Sequence, residues 1–481
     1  LWGQYVVPTE GGVWQKSNWQ NIRNINYFMT HYQSVQAAEA DVNIYVAEMR
    51  FFRALEYFNK IQLLGDVPWL EVDLNVDSEE LYGPKMKRNQ VFQKIIEDLD
   101  FAIQWLPEAG SEEANRLNKD IARHVKARFC LNEGTHYKYH DELEYASEAE
   151  KWLQMAATES DKLITSGRYE IYNTGHPQED YFNMYRIDDK SDLKEAVLYV
   201  DYKTNIREHN MAAAGREAGC GFSKSFVESF LCSDGLPISL SNKYLGDETM
   251  RKETANRDPR LKQLILTNDF PTNVTDDLKD STFVVNEDEF ITQHCFTGYR
   301  PIKGFNPIYS QALYMKSSFD GIAYRYAETL LINAEAKAEL NTITNADLDR
   351  TVNQLRDRVG MPHLTVNVGF TDPKWPDWGY SLSPVLQEIR RERCIELAGE
   401  GFRFNDLKRW KAGKVLNNVL TYVGKRKPDG NLAIVYPNYT NPDLSYQAGK
   451  SRTWEDKMYL YPIPTGELQR NPQLLPQNPG W

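Results

Sequence analysis

IRRERCIELAGEGFRFNDLKRWKAG, residues 389–413, is the stretch from which the fold of this chain is best read. Together with the preceding Glu388, acids recur every four residues (Glu388, Glu392, Glu396, Glu400), interleaved with Arg390, Arg391, Arg393, Arg403 and Arg409 and followed by Asp406. A spacing of four puts the acids on one face of a helix, where arginines three or four residues away can pair with them. The pattern predicts a helix over 384–411, running across Gly399–Gly401 and laced with ion pairs. A glycosidase also needs two carboxylates. Acids surrounded by arginine hold protons less readily, however, which is the opposite of what a general acid requires. The block is read as structural, and no residue is assigned a catalytic role.

Outward from it, other segments carry the 3.6-residue period. Residues 41–63 have apolar positions three and four apart and stop at Gly65-Asp66. Residues 89–105, starting on Asn89 as a cap and ending before Pro107, and 118–137, capped by Asn118, form an expected helical hairpin. Helices are also expected over 146–165, 322–340 and 345–358, with a brief one around 222–231. Between 168 and 318 the period dissolves into turn-formers and short β-like runs at 196–203 and 283–286. The segments MRFFRALEYF (49–58), ARHVKARFCL (122–131) and YRYAETLLINAEAKA (324–338) set small residues among aromatics and arginines. That texture lets helices approach closely, as in the hairpins of tetratricopeptide solenoids.

With 481 residues and 41% hydrophobic content the chain can bury a large core. Its net charge of -12 argues against a nucleic-acid partner, whose binding would rest on phosphate neutralisation. No apolar run reaches the roughly eighteen residues of a membrane-spanning helix. A start at Leu1 without a basic and apolar signal region reads as a processed or trimmed chain. The five cysteines (Cys130, Cys220, Cys232, Cys295, Cys394) are widely spaced and read as isolated buried thiols. His136 and His140 share a helical face but lack the H-E-x-x-H context of a metal site, and read as a surface pair at a helix end. The Gly-rich run 212–221 lacks a P-loop lysine and reads as a mobile loop.

The chain resembles the SusD/RagB family of outer-membrane nutrient-binding lipoproteins. The resemblance is carried, in order, by W-x(2)-N-I-x(3)-N at 19–26, R-x(2)-R-A-x(2)-Y-F at 50–58, LLGDVPW at 63–69, VFQKIIEDLDFAIQWLP at 91–107, YRYAETLLINAEAKAEL at 324–340, the 389–413 block, and YLYPIPTGELQRNPQLLPQNPGW at the C-terminus. It implies a mainly α fold: a tetratricopeptide-like helical-hairpin superhelix with large loop-rich insertions and a few short strands. A single SusD-like domain would span 1–481, its helical scaffold at about 19–167 and 320–412 and its loop-rich ligand face at about 1–18, 168–319, 360–382 and 421–481. The implied function is non-catalytic capture of oligosaccharide at the cell surface. The implied partner is a SusC-like TonB-dependent transporter, and the implied location the outer membrane, through a lipid anchor that this sequence does not contain. A RagB-like peptide receptor is the alternative and a glycoside hydrolase a remote one. No cofactor or metal site is expected, although a structural calcium occurs in some relatives.

Sugars present apolar C–H faces rimmed by hydroxyls, so a binding site for them calls for exposed aromatic rings beside polar groups. The candidates are Trp2, Tyr5, Trp14 and Asn18 in the punctuated N-terminal stretch, Trp375 and Trp378 in the proline-stiffened loop DPKWPDWGY (372–380), and Tyr299 and Arg300, with Phe305, in 294–309. Trp19 is expected in the core at the start of a helix.

Overall fold

The apolar stripes of the sequence become helices whose small residues let neighbours close in. The computed structural model describes residues 5–111, 115–212, 221–292, 295–434 and 452–481. They fall into two compact units, Leu1–Trp152 with Thr453–Trp481, and Leu153–Arg452. The architecture is mainly α and tetratricopeptide-like, with a few short two-stranded sheets.

In the first unit α1 (Gln20–His31), α2 (Glu39–Leu64), α3 (Arg88–Trp105) and α4 (Lys119–Tyr139) follow one another, and α5 (Ala146–Thr165) leads into the second unit. Ala47 and Ala54 of α2 and Ala122 and Ala127 of α4 are fully buried, which allows Phe58 to stack on Phe129 at 3.6 Å. Arginines tie the helices together through the core. Arg53 grips Asp98 of α3 with two bonds of 2.7 Å, and Arg88 grips Glu133 of α4 at 2.6 and 2.8 Å. Such paired, hydrogen-bonded ions tolerate burial where a lone charge would not. The C-terminal tail closes the end of α2, where Asn478 donates to the Leu64 carbonyl at 2.9 Å. Gly65 ends α2 at φ +75°, and a Cβ there would meet Leu460 at 2.9 Å, so both conformation and space ask for glycine.

In the second unit the last turns of α5 pack on the helix Tyr326–Glu339, where Asn333 donates to the Ala157 carbonyl at 3.1 Å. Val352–Arg358, Pro384–Glu396 and Phe402–Arg409 complete the helical part. The long stretch between has its own apolar core, including Tyr181, Phe230, Leu264, Tyr299, Ile302 and Phe305, against which Ile395 packs.

Several expectations need correction. Residues 321–325 are a strand pairing antiparallel with Ala196–Val200, so the helix expected from 322 begins only at Tyr326. The helix expected over 384–411 breaks after Glu396, because Gly399 and Gly401 take φ +76° and +85°. The helix over 345–358 is split at Arg350–Thr351. The β-like run at 283–286 contributes only Phe283, the end of a strand Ser281–Phe283. Asn89 is not a cap: α3 starts at Arg88, and the Asn89 amide donates to Glu148 at 2.8 Å. Asn118 does cap α4, accepting from the Ile121 N–H at 3.0 Å. His136 and His140 are buried, not on the surface, with rings stacked 4.0 Å apart. Cys130, Cys232 and Cys295 are buried thiols outside any disulfide and Cys394 is half-buried, while Cys220 and residues 213–220 lie outside the described residues.

Candidate functional site

The loop 370–380 enters the helix Pro384–Glu396 and is fastened to it along its length. Asp372 accepts from the Lys374 N–H at 2.9 Å and the Ser239 hydroxyl at 2.8 Å, and pairs with Arg391 at 2.6 Å. The Trp375 indole donates to Glu388 at 2.7 Å and the Trp378 indole to the adjacent Gln387 at 2.6 Å. Tyr380 donates to the Trp410 carbonyl at 2.5 Å. Prolines 373 and 376 remove further freedom, so the loop has little left to order on binding.

The two tryptophans nevertheless differ. Trp375 is half-buried and lies 6.2 Å from the half-buried Phe370, so both residues keep part of their surface open to solvent. Trp378 is only 5% exposed, set edge-on to Trp410 at 5.5 Å with the Arg390 guanidinium 5.0 Å over its ring, and belongs to the core.

The N-terminal candidates lie in the first unit. Tyr5 is 48% exposed, edge-on to Tyr461 at 5.9 Å and Trp481 at 5.5 Å. Trp14 is half-buried and meets Trp19, itself half-buried, edge-on at 5.2 Å. The Asn18 amide donates to the Gly12 carbonyl at 3.3 Å, and its own carbonyl receives the Lys60 ammonium. Trp2 lies outside the described residues. Tyr5, Trp14 and Asn18 thus share one segment, and Trp375 and Trp378 another. Phe370, Tyr461 and Trp481 were not singled out from sequence. Only their proximity in space selects them, since nothing in their local spacing distinguishes them from other aromatics.

Tyr299 is a core residue: its ring is fully buried and its hydroxyl donates to both oxygens of Glu253 at 2.8 Å. It offers no face to a sugar, because Tyr299, Ile302 and Phe305 turn inward onto the apolar core, although Tyr309 at the end of the segment is exposed. Arg300 is half-buried with its guanidinium 5.5 Å over the Phe305 ring.

The carboxylates of the 389–413 block form a buried lattice. Glu396 receives Arg358 at 2.7 and 2.8 Å, Arg325 at 2.6 Å and Arg260 at 3.0 Å. Burial alone would raise its proton affinity, but Arg358, Arg325 and Arg260 outweigh it and hold the carboxyl well below the usual range. Glu400 is lowered likewise, burial being outweighed by Arg325 and Lys303, and Asp406 by Arg393 and Arg409. One other pair looks more like acid chemistry. Lys224 bridges Glu253 at 2.5 Å and Asp247 at 2.8 Å; burial raises Glu253, whereas Asp247, despite burial, is pulled to about 2 by Arg426 and Lys224. Glu253, Lys224 and Tyr299 are each almost wholly buried, and the Lys224 ammonium occupies the gap between the two acids. Among the described residues no three His, Cys, Asp or Glu side chains gather as metal ligands, and no helix is long and apolar enough to cross a membrane.

The fold has known counterparts. The SusD family model matches residues 164–481, and the chain belongs to that family. SusD-like protein P2 of Formosa agariphila is 25% identical over 456 residues, 92% of this chain and 75% of that protein. Among solved structures, a SusD-like protein of Bacteroides fragilis matches with a TM-score of 0.72 at 23% identity, over 97% of this chain and 85% of its own. A laminarin binding SusD-like protein matches with a TM-score of 0.56 at 20% identity, over 99% and 87%.

Proposed function

We propose that this protein is a non-catalytic glycan receptor of the cell surface, held at the outer membrane by a lipid anchor, that hands oligosaccharide to a SusC-like TonB-dependent transporter. The observation that carries the reading is Trp375: a partly open indole, backed by Phe370, on a loop fixed before any ligand arrives. Membership of the SusD family supports it, as does a fold shared with a protein described as laminarin binding. A ligand without negative charge suits the site, because the cations beside Trp375 are already committed, Lys374 to Glu228 at 3.0 Å and Arg391 to Asp372, while Asp377 stands exposed on the same loop. The arginine-bound carboxylates favour binding over hydrolysis, since glycoside cleavage needs an acid that still holds its proton.

Affinity electrophoresis and calorimetry against a panel of polysaccharides test this, with Trp375→Ala and Trp14→Ala beside the wild type. Retarded migration on at least one glycan, lost in Trp375→Ala, is expected. Binding of peptides and of no glycan would sink the reading, and hydrolysis of a bound glycan by the pure protein would return the enzyme.

A further inference from the structure

Glu388 is an expensive residue to keep where it is. It lies on the buried face of Pro384–Glu396, between Val385, Leu386 and Ile389, and is fully shielded from solvent. Its Oε1 accepts from the Trp375 indole at 2.7 Å and from Arg391 Nε at 3.1 Å, while Oε2 has no hydrogen-bond partner among the described residues. Arg391 is shared: it also pairs with the buried Asp372 at 2.6 Å and donates to the Ser229 carbonyl at 2.9 Å. Two buried carboxylates thus divide one guanidinium, and one carboxylate oxygen goes unpaired. Buried ions with incomplete pairing generally cost stability relative to apolar residues of similar size. A position that breaks local rules in this way is where function is expected to sit.

The geometry says what Glu388 does. A charged acceptor makes a stronger and more directional bond to an indole N–H than a neutral one. Trp375 is a partly open ring of the loop, and its indole N–H, the one polar group of the side chain, is used in this bond. The backbone of the same turn is held by Asp372 through Arg391, so Glu388, Arg391 and Asp372 fix the indole and the chain that carries it from one point on the helix. Gln387, the preceding residue, holds Trp378 in the same manner.

We infer that Glu388 is the positioning residue of the glycan site, orienting the Trp375 indole from beneath; this rests on the glycan-binding reading of the loop. Glu388 does not touch the ligand. It acts by sparing the ring the rotamer freedom it would otherwise lose on binding.

The test uses the full chain carrying 5-fluorotryptophan, with Glu388→Leu, Glu388→Gln, Trp375→Phe and the double variant Glu388→Leu/Trp375→Phe. The fluorine resonance of Trp375 is assigned by its disappearance in Trp375→Phe. Calorimetry with laminarin, and with any panel polysaccharide that the wild type binds, gives affinity; urea unfolding gives stability. Glu388→Leu is expected to unfold at or above the wild-type midpoint, yet to shift and broaden the Trp375 resonance and weaken binding about tenfold. Glu388→Gln, which keeps an acceptor, should recover part of the loss. Trp375→Phe, which keeps a ring but not the N–H, should weaken binding comparably, and the double variant no further. An unchanged Trp375 resonance and unchanged affinity in Glu388→Leu overturn the inference, as does a loss of affinity that merely tracks a loss of stability. If Glu388→Leu does not fold, additive losses in Glu388→Gln and its combination with Trp375→Phe overturn it equally. If the wild type binds no polysaccharide, the glycan reading falls, and the fluorine resonance alone decides whether Glu388 orients Trp375.

Discussion

Two tryptophans three residues apart on one loop differ in burial, and under the proposed function they divide the work between binding and folding. Trp378 is wedged against Trp410 beneath Arg390, and its truncation to alanine empties a core site. Trp378→Ala is expected to cost about 3–5 kcal/mol in urea unfolding. Trp375→Ala removes a partly open ring and is expected to leave the unfolding midpoint much closer to wild type while weakening glycan binding about tenfold or more by calorimetry. The sequence showed both tryptophans to be loop aromatics. It could not rank them, because the ranking depends on Trp410, Gln387 and Glu388, which lie 9 to 32 residues further along the chain. The same holds for Tyr299. Its Gly/Pro-rich surroundings suggest an exposed loop, but Glu253 and Lys224, 46 and 75 residues away in sequence, draw its hydroxyl inward.

Among the elements, those with a long uninterrupted period were legible and the junctions were not. Helices α2 to α5 follow from apolar spacing and punctuation alone, although α4 is buried on nearly every face and not along one stripe. At 321–325 the residues GIAYR suit helix and strand alike, and pairing with Ala196–Val200 settles the matter. At Gly399–Gly401 the acids and arginines keep helical spacing, yet both glycines adopt positive φ and the chain turns before Phe402. Here the glycine conformation is the constraint, and it can be measured. A Cβ on Gly401 would meet no atom within 4 Å, so Gly401→Ala suffers only from its left-handed backbone at φ +85°. The expected loss is about 1–2 kcal/mol by urea unfolding, and Gly401→Asn, which tolerates that region better, should lose less. A neutral Gly401→Ala would mean that the helix can run through, as its charge spacing suggests.

At the scale of the whole molecule the buried charges set how stability responds to pH. That the 389–413 acids would be tied by arginine was readable from spacing. The identity of the arginines was not: Glu396 is held by Arg260, Arg325 and Arg358, brought from three separate segments. Removing that carboxylate's charge takes one anion from three buried guanidiniums, which keep Asp258 and Glu392, Glu195 and Glu400, and Glu195 as partners, so Glu396→Gln is expected to cost about 3 kcal/mol in urea unfolding. Glu396, Glu400 and Asp406, like Asp247, keep their protons off in the folded state to lower pH than when unfolded. Below about pH 4.5 the unfolded chain therefore binds more protons than the native one, and the stability these groups contribute is lost progressively as pH falls. The alkaline side carries the opposite slope. Burial brings Lys303 and Lys190 from 10.5 down to about 8, so between these values the unfolded chain again holds more protons and stability rises with pH. Above about pH 10 burial keeps Tyr181, Tyr185 and Tyr299 protonated when their unfolded counterparts ionise, and stability falls again. Urea midpoints recorded from pH 3 to 11 should thus climb from acid, gain a further increment between pH 8 and 10, and then drop. A profile flat across that interval would mean that the two lysines keep their protons inside the fold, supported by the carbonyl groups of Ala398 and Ile187 that receive them.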